Sequence, residues 1–358
     1  MTAITAGLVC CHHHLYSALA RGMPAPPGPT PDFGAILEQV WWRLDSALDL
    51  DMIEWSAKLG ALEALECGTT AIVDHHESPN AIEGSLDVIA GACAEVGVRV
   101  VCAYGVTDRH AGSGPVAVDA QPSVSDRPTR MTDAARRGLA ENERFIRGGG
   151  RAMVGVHAAF TCAEETLEAA ADLAVRLGVG VHIHVAEGAA DLDAGARLEG
   201  MCTEDWLLVH CVHLDRPLAG TLAHNPRSNM NNAVGYARPA QRPNRVVLGT
   251  DGIGADMLEE FRLAYVRHRE DDVTASPDSA WSWLENGWGL VPEARTDEVT
   301  WSYDPVTPWH IAFSPGVRAR RVVIDGRVVV EDGRAVLVDA AEIRAKAAEQ
   351  ARRLFARL

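Results

Sequence analysis

Three consecutive histidines, His12 to His14, follow a short apolar run near the start of the chain. Side chains alternate along a β-strand, so residues two positions apart project from the same face. If the apolar run is a strand that continues through the histidines, His12 and His14 share one face and His13 points the other way. The pattern H-x-H, rather than the run of three, is therefore the chemical signal.

Other polar residues stand at the ends of later apolar runs. His184 and Glu187 lie in HIHVAE, His210 lies in VHCVHL, and Asp251 follows VVLGT. The strand ends of a parallel βα barrel open at one mouth, where catalytic residues gather. Three neutral imidazoles and one carboxylate would converge there, a set that suits one divalent transition metal, Zn²⁺ first and Fe²⁺ as the alternative, with a position left for water. The converging residues are His12, His14, His184 and Asp251.

The elements that must position these residues alternate along the chain. Stretches of helical periodicity separate most of the apolar runs, and eight parallel strands are the number that closes a (β/α)8 barrel of the TIM type. The links after the sixth and seventh strands are short for helices, and residues 107–131 form a long Gly/Pro-rich loop, either mobile or a lid. The predicted strands are 4–11, 69–74, 98–106, 152–160, 179–187, 205–214, 220–226 and 244–251.

The last quarter of the chain has a different pattern. Residues 265–316 show few clear strands and are interpreted as irregular and helical. Residues 320–338 hold two Asp-Gly turns between β-rich runs, which predicts a small antiparallel meander. We expect a metal-dependent hydrolase barrel over 1–316, and the meander with a closing helix over 317–358.

Composition narrows the class of protein. The formal net charge of −16 argues against nucleic-acid binding, and no apolar run reaches the roughly 18 residues of a membrane span. The N-terminus lacks a basic start and a signal core, and the eight cysteines contain no C-x-x-C pair, so a cytoplasmic protein acting on a small molecule is expected. Trp41 and Trp42 fit either the interface of a homodimer or a buried core.

A set of motifs in fixed order carries a family resemblance. GLVCCHHHLYSALARG, GTTAIVDHHESPNAIEGSLDVIA, VGVHAAFTCAEETL, VHIHVAEG, LLVHCVHLD, AHNPRSNMNNAVG and LGTDGIGADM resemble strand-end motifs of the amidohydrolase superfamily. They are most similar to its cytosine/guanine-deaminase-related branch, and there to the SsnA-like aminohydrolases. The resemblance covers about residues 5–265 and implies a (β/α)8 barrel with a mononuclear metal held by the four residues above.

The resemblance also implies roles for individual residues. Glu187 would be the proton shuttle, His210 would lie beside the attacked carbon, and Asp251 would accept a proton from water as well as bind the metal. Positions that line the substrate in the family are matched less closely. They are His157, His224, Asn225, Arg227 and Asn229.

Two features of the chain bear on these implications. Family members usually carry strands before the barrel that pair with C-terminal strands, so we expect the meander to lack its usual partners. Many amidohydrolases hold two metals bridged by a carbamylated lysine, yet only Lys58 and Lys346 occur here, both in predicted helices. With Asp74 and Glu77 interpreted as loop residues, the sequence predicts one metal.

Three functions follow in order of preference. The first is a metal-dependent deaminase of an aminated heterocycle or an amidine-like small molecule, acting through activated water. The second is a hydrolase that displaces a substituted amine or a halide from a ring. The third is a catalytically silent barrel that binds a ligand, and the intact set of metal-binding and acid–base residues disfavours it.

Overall fold

The computed structural model describes residues 3–112 and 114–358. Its strands, numbered along the chain, are β1 Ile4–Thr5, β2 Leu8–His13, β3 Thr69–Asp74, β4 Arg99–Val101, β5 Val154–Ala158, β6 Val181–Val185, β7 Leu207–His210, β8 Thr221–His224, β9 Val246–Leu248, β10 Glu298–Trp301, β11 Ala319–Ile324, β12 Arg327–Glu331 and β13 Arg334–Ala335. Its α-helices are α1 Phe33–Ile36, α2 Trp42–Ala47, α3 Leu50–Glu66, α4 Ser85–Val96, α5 Asp133–Arg147, α6 Glu164–Leu177, α7 Ala194–Leu198, α8 Pro226–Asn231, α9 Met257–Asp271, α10 Pro277–Glu285, α11 Pro308–Ile311 and α12 Ala340–Phe355.

Strands β2 to β9 form a closed parallel barrel. Two parallel sheets, β2-β3-β4 and β5 to β9, are joined on one side by a bridge between Cys102 and Ala152. On the other side the amides of Thr250 and Asp251 donate to the carbonyl of His12, at 2.9 and 3.1 Å. Each of the eight predicted runs contains one barrel strand, so the predicted α/β barrel is confirmed.

The connections that follow β6, β7 and β8 contain little helix. After β6 the chain forms one 3₁₀ turn and the five-residue helix α7, and after β8 only the six-residue α8 and a second 3₁₀ turn. Residues 211–220, between β7 and β8, hold turns and no helix. None of the helices in the described ranges combines the length and the apolar character needed to cross a bilayer.

The C-terminal meander does have partners, contrary to the expectation from the sequence. Strands β1, β10, β11, β12 and β13 form one antiparallel sheet, in which Ile4 lies opposite Thr300. The sequence prediction was wrong on two points: residues 265–316 contain β10, and the first apolar run is two strands rather than one. The extended run is interrupted at Gly7, between β1 in the antiparallel sheet and β2 in the barrel. A Cβ atom at Gly7 would lie 2.1 Å from the Thr70 hydroxyl oxygen, so a side chain does not fit at this point.

Trp301 links this sheet to the barrel. Its ring is fully buried, its indole nitrogen donates to the Thr5 hydroxyl at 2.8 Å, and it packs against Gly68 so closely that a Cβ there would lie 2.3 Å from the ring. Gly68 also has a φ of +76°, a conformation that side chains disfavour. The contact therefore depends on a large ring on one side and the absence of a side chain on the other.

We predict that Trp301→Ala lowers the free energy of unfolding by about 3–5 kcal/mol, because it opens a cavity and removes an indole hydrogen bond. Urea denaturation followed by circular dichroism measures this change. Trp309→Ala is the matched control: that ring is 54% exposed, so its loss should change stability by about 0.5 kcal/mol or less. Equal effects of the two substitutions would contradict the assigned role of Trp301.

Candidate metal centre and active site

Strand ends at the barrel mouth bring together the four residues predicted to bind a metal. The candidate ligand atoms of His12, His14, His184 and Asp251 all lie within 4.8 Å of one another. The Asp251 Oδ1 atom lies 2.9 Å from His14 Nε2 and 3.5 Å from His12 Nε2, and His184 Nε2 lies 3.3 Å from His14 Nε2. His13 projects elsewhere, with Nδ1 2.7 Å from the Asp251 carbonyl oxygen.

The imidazoles are oriented so that their Nε2 atoms face one point. Nδ1 of His14 lies 2.5 Å from the carbonyl oxygen of His75, and Nδ1 of His184 lies 2.7 Å from that of His157. A carbonyl only accepts hydrogen bonds, so each Nδ1 carries a proton, and each ring in its neutral form presents a lone pair at Nε2. The buried Nε2 of His12 has no hydrogen-bond partner. Three lone pairs and a carboxylate thus converge, which fits a divalent cation.

Burial and the carboxylate set the charge of this cluster. Burial lowers the pKa of His12 well below its usual value and that of His184 to about 3, so both rings are neutral ligands at pH 7. Burial opposes ionisation of Asp251, but the rings of His12 and His14 beside its Oδ1 atom hold its pKa well below the usual range. Although burial also disfavours a charged His14, Asp251 raises the pKa of that ring to about 9. One positive charge therefore belongs beside Asp251, as a proton or as a cation.

Glu187 and His210 stand directly beside the cluster. His210 Nε2 lies 3.3 Å from Glu187 Oε2 and 4.0 Å from Asp251 Oδ2. Burial, with repulsion from Asp251, raises the pKa of Glu187 well above its usual value, so this carboxyl group keeps a proton more readily than a free one. Its buried Oε1 atom has no partner. The pair is therefore an acid–base couple adjoining the candidate metal position.

The backbone at these positions is strained. His210 has a φ of +67° and Asp251 a φ of +55°, both in the left-handed region that side chains other than glycine seldom occupy. Such conformations cost of order 1–3 kcal/mol each and cluster at functional sites. Here they direct one residue from β7 and one following β9 into the same space.

A cavity of about 450 Å³ opens above the cluster. Aromatic rings, two buried acids and a histidine line it. The sequence left undecided whether Trp41 and Trp42 belong to a dimer interface or to the core. Both line this cavity. The residues that the argument below uses are Phe33, Trp42, Asp45, Glu77, His157 and Phe160.

The two acids that line the cavity belong to a buried ion cluster. Arg109 donates through Nη2 to Glu77 and, at 3.3 Å, to Asp45, while its guanidinium stacks 4.5 Å from the ring centre of Trp42. Burial raises the pKa of both acids, although Arg109 opposes the shift. Asp45 Oδ1 and Glu77 Oε1 have no hydrogen-bond partner. Glu77, interpreted as a loop residue from the sequence, lies three residues past β3 at the mouth, which is the signal that was available. No pattern pointed to Asp45.

The residues predicted to line the substrate are placed differently from one another. His157 lines the cavity. Asn229 Oδ1 accepts from His210 Nδ1 at 2.8 Å, and the Asn225 amide packs beside the same ring, with Nδ2 3.4 Å from Nδ1, so both amides contact a side chain of the site. His224 is buried against Tyr236 and Trp283 rather than in the cavity.

Arg227 lies outside the cavity. Its Nε donates to Glu260 Oε1 at 2.7 Å, and Nη1 donates to Glu259 Oε1 at 3.4 Å. Glu260 is fully buried, and that burial raises its pKa to about 7 although Arg227 lowers it. Arg227 therefore compensates the negative charge of a buried acid, Glu260.

Comparison with known proteins agrees with this geometry. The model for the amidohydrolase family matches residues 3–283. The chain belongs to the amidohydrolase family. Among relatives, it is 30% identical over 304 residues to a 5'-deoxyadenosine deaminase of Methanopyrus kandleri, with 76% of this chain and 63% of that protein covered. It is 32% identical over 295 residues to a 5-methylthioadenosine/S-adenosylhomocysteine deaminase of Pelotomaculum thermopropionicum, with 74% and 60% covered. This amidohydrolase thus spans about three fifths of the length of these relatives.

Solved structures share the fold at lower identity. A mutant of atrazine chlorohydrolase from Arthrobacter aurescens, complexed with zinc and atraton, superposes with a TM-score of 0.79 at 20% identity, covering 97% of this chain and 88% of that one. An adenosine deaminase from Xanthomonas campestris with bound zinc gives a TM-score of 0.79 at 20% identity, covering 99% and 86%. At this identity the likeness shows that the amidohydrolase shares their fold.

We predict that Arg227→Leu destabilises this amidohydrolase by about 3 kcal/mol at about pH 8, because it leaves Glu260 buried without its cation. Folding raises the pKa of Glu260 from 4.5 to about 7, so the group stabilises the fold at low pH and loses that contribution as the pH rises through this window. Without Arg227 the pKa of Glu260 rises further, so the loss extends to higher pH.

Urea denaturation at about pH 5.5 and about pH 8 tests this sign. The variant should lose much less stability at the lower pH, where Glu260 is protonated in both proteins. A loss of equal size at both pH values would show that the charge of Glu260 is not the cause. Full stability with weakened substrate binding would instead favour the position predicted from the sequence.

Proposed function

We propose that this amidohydrolase is a deaminase that replaces the exocyclic amino group of a purine-like ring with oxygen from water, releasing ammonia. The observation that carries the proposal is the buried acid Glu187 beside His210 and the cluster of His12, His14, His184 and Asp251, at a cavity lined by aromatic rings. The names of the two relatives, both deaminases of adenosine derivatives, support the same substrate class.

The cluster of three histidines and one aspartate would hold a single divalent metal, with Zn²⁺ as the first choice and Fe²⁺ as the alternative. When bound, such an ion lowers the pKa of water toward about 7 and supplies a nucleophile at neutral pH. Neither lysine of the chain is placed to bridge two metals as a carbamate at the barrel mouth. Lys58 pairs with Glu54 and Glu95 on the helical layer, and Lys346 pairs with Glu349 on α12. This placement supports one metal rather than two.

Side chains of the protein would carry out the proton transfers. Glu187, whose pKa burial raises, is placed to give a proton to a ring nitrogen, and then to pass one from the attacking water to the departing amine. His210, whose Nδ1–H is directed to Asn229, presents its Nε2 lone pair to accept a hydrogen bond from that water. Asp251, ionised through its contacts with His12 and His14, accepts the second proton of the water, and the return of this proton to Glu187 restores the acid for the next turnover.

The cavity supports a planar substrate with a polar substituent. Trp42, Phe33 and Phe160 offer faces and edges for a heteroaromatic ring, and the volume lies within the usual range for small-molecule sites. The unpartnered oxygens of Asp45 and Glu77 would accept hydrogen bonds from donors on the substituent. Arg109 keeps these acids from repelling each other and fixes where they point.

Displacement of a halide from a ring is the second candidate, because the fold resembles that of an atrazine chlorohydrolase. The acid at Glu187 favours the first, since an amine must be protonated before it leaves and a halide need not be. The SsnA-like branch, the homodimer, the cytoplasmic location and a boundary after residue 316 remain predictions from the sequence.

We predict one tightly bound transition metal per chain in the purified protein, and its loss in His184→Ala, which removes one of four ligands. Metal analysis by mass spectrometry after gel filtration measures both. His310→Ala is the control, because His310 is exposed on helix α11, where its ring pairs with Thr307, and its loss should leave the metal content unchanged. Two metals per chain, or equal loss from both variants, would refute the assignment.

We predict ammonia release from at least one aminated purine or purine nucleoside in a panel that includes pyrimidines, pterins and chlorinated triazines. Glu187→Gln should retain the metal and lower kcat by about 10²–10⁴-fold, because an amide cannot relay a proton. Chloride release without ammonia would move the function to the second candidate. Nearly normal turnover in Glu187→Gln would place the proton transfers on another residue.

A further inference from the structure

The three imidazoles of the metal cluster differ in what holds them. His14 and His184 direct Nδ1 to backbone carbonyl oxygens, which substitution of a side chain leaves in place. His12 directs Nδ1 to a side chain instead: its Nδ1 atom lies 2.8 Å from Nε2 of His182. The orientation of one imidazole in three therefore depends on the side chain of His182, which lies outside the candidate ligand set.

The protons of this pair can be assigned from the geometry. His12 Nε2 points to the cluster and must keep its lone pair to bind a cation, so the ring proton lies on Nδ1. His182 must then accept at Nε2 and carry its own proton on Nδ1. Both rings are completely buried, so no water competes for the hydrogen bond between them.

The position of His182 is fixed by its strand. It lies on β6 two residues before His184, so alternation places both side chains on the barrel interior. His182 is completely buried, with its ring centre 5.0 Å from that of His12 and 4.9 Å from that of His75. The ring of His75 uses Nε2 on the carbonyl of Val156, and only the backbone carbonyl of His75, which a side-chain substitution leaves in place, contacts a candidate ligand, His14. Of these two core histidines, only His182 therefore acts on the cluster through a side-chain hydrogen bond.

We propose that His182 is a positioning residue that fixes the tautomer and ring orientation of His12 and so sets the affinity of the site for its metal. Partners of this kind, beyond the ligands themselves, typically change metal affinity by about 10–100-fold when removed. The proposal rests on the metal site of the proposed function, but not on the reaction carried out there.

The test compares three variants by the Zn²⁺ dissociation constant, measured by competition with a chromogenic chelator. His182→Leu, which keeps the bulk and loses the acceptor, should weaken binding by about 10–100-fold. His182→Gln, whose amide oxygen can accept from His12 Nδ1, should recover most of that loss. His75→Leu, an equally buried replacement in the same layer, should bind Zn²⁺ nearly as well as the unmodified protein. Circular dichroism of each metal-free variant confirms that it is folded.

A second measurement needs no variant. Nitrogen-15 spectra of histidine-labelled, zinc-loaded protein should show His12 protonated at Nδ1 and His182 protonated at Nδ1 only. A proton on Nε2 of His182 would overturn the proposal, as would a folded His182→Leu variant with unchanged Zn²⁺ affinity, or a loss in His75→Leu as large as in His182→Leu. Normal zinc binding without ammonia release would count against the proposed reaction and leave the role of His182 intact.

Discussion

Removal of water from the barrel mouth is the constraint on which the other features of the site depend. Burial makes imidazolium costly, so His12 and His184 remain neutral and keep the lone pairs that a cation requires. The same burial raises the pKa of Glu187, which prepares it as an acid. Asp251 stays ionised against the effect of burial, because the rings of His12 and His14 lie beside its carboxylate. Burial therefore produces the neutral rings and the acid, and the adjacent rings preserve the counter-charge.

Closure of the barrel and assembly of the site use the same contacts. The carbonyl of His12 accepts from the amides of Thr250 and Asp251, which joins the first and last strands of the barrel. That junction sets the Asp251 carboxylate beside the H-x-H pair and requires a left-handed backbone at Asp251. The free energy of folding of the barrel therefore offsets the backbone strain at Asp251, and no separate loop is needed to align the residues of the site.

The sequence was informative where one rule of geometry applied. Strand alternation and the common mouth of a parallel barrel were enough to bring His12, His14, His184 and Asp251 together. Pairing between distant strands follows no local pattern, which is why β10 and its link to β1 were missed. The motif around Arg227 suggested a substrate contact, but a family position does not reveal the buried Glu260 that this arginine compensates. His182 was missed for a related reason, since its role depends on which ring it contacts rather than on its spacing.

The central claim is that one divalent cation occupies the point where the four ligand groups converge. Anomalous diffraction from crystals of the purified protein, recorded on both sides of the zinc absorption edge, tests it most directly. The account predicts a single strong peak in each chain, about 2.0–2.2 Å from Nε2 of His12, His14 and His184 and from a carboxylate oxygen of Asp251. A peak bound by other residues, two peaks in one mouth, or an ordered mouth without any peak would contradict it.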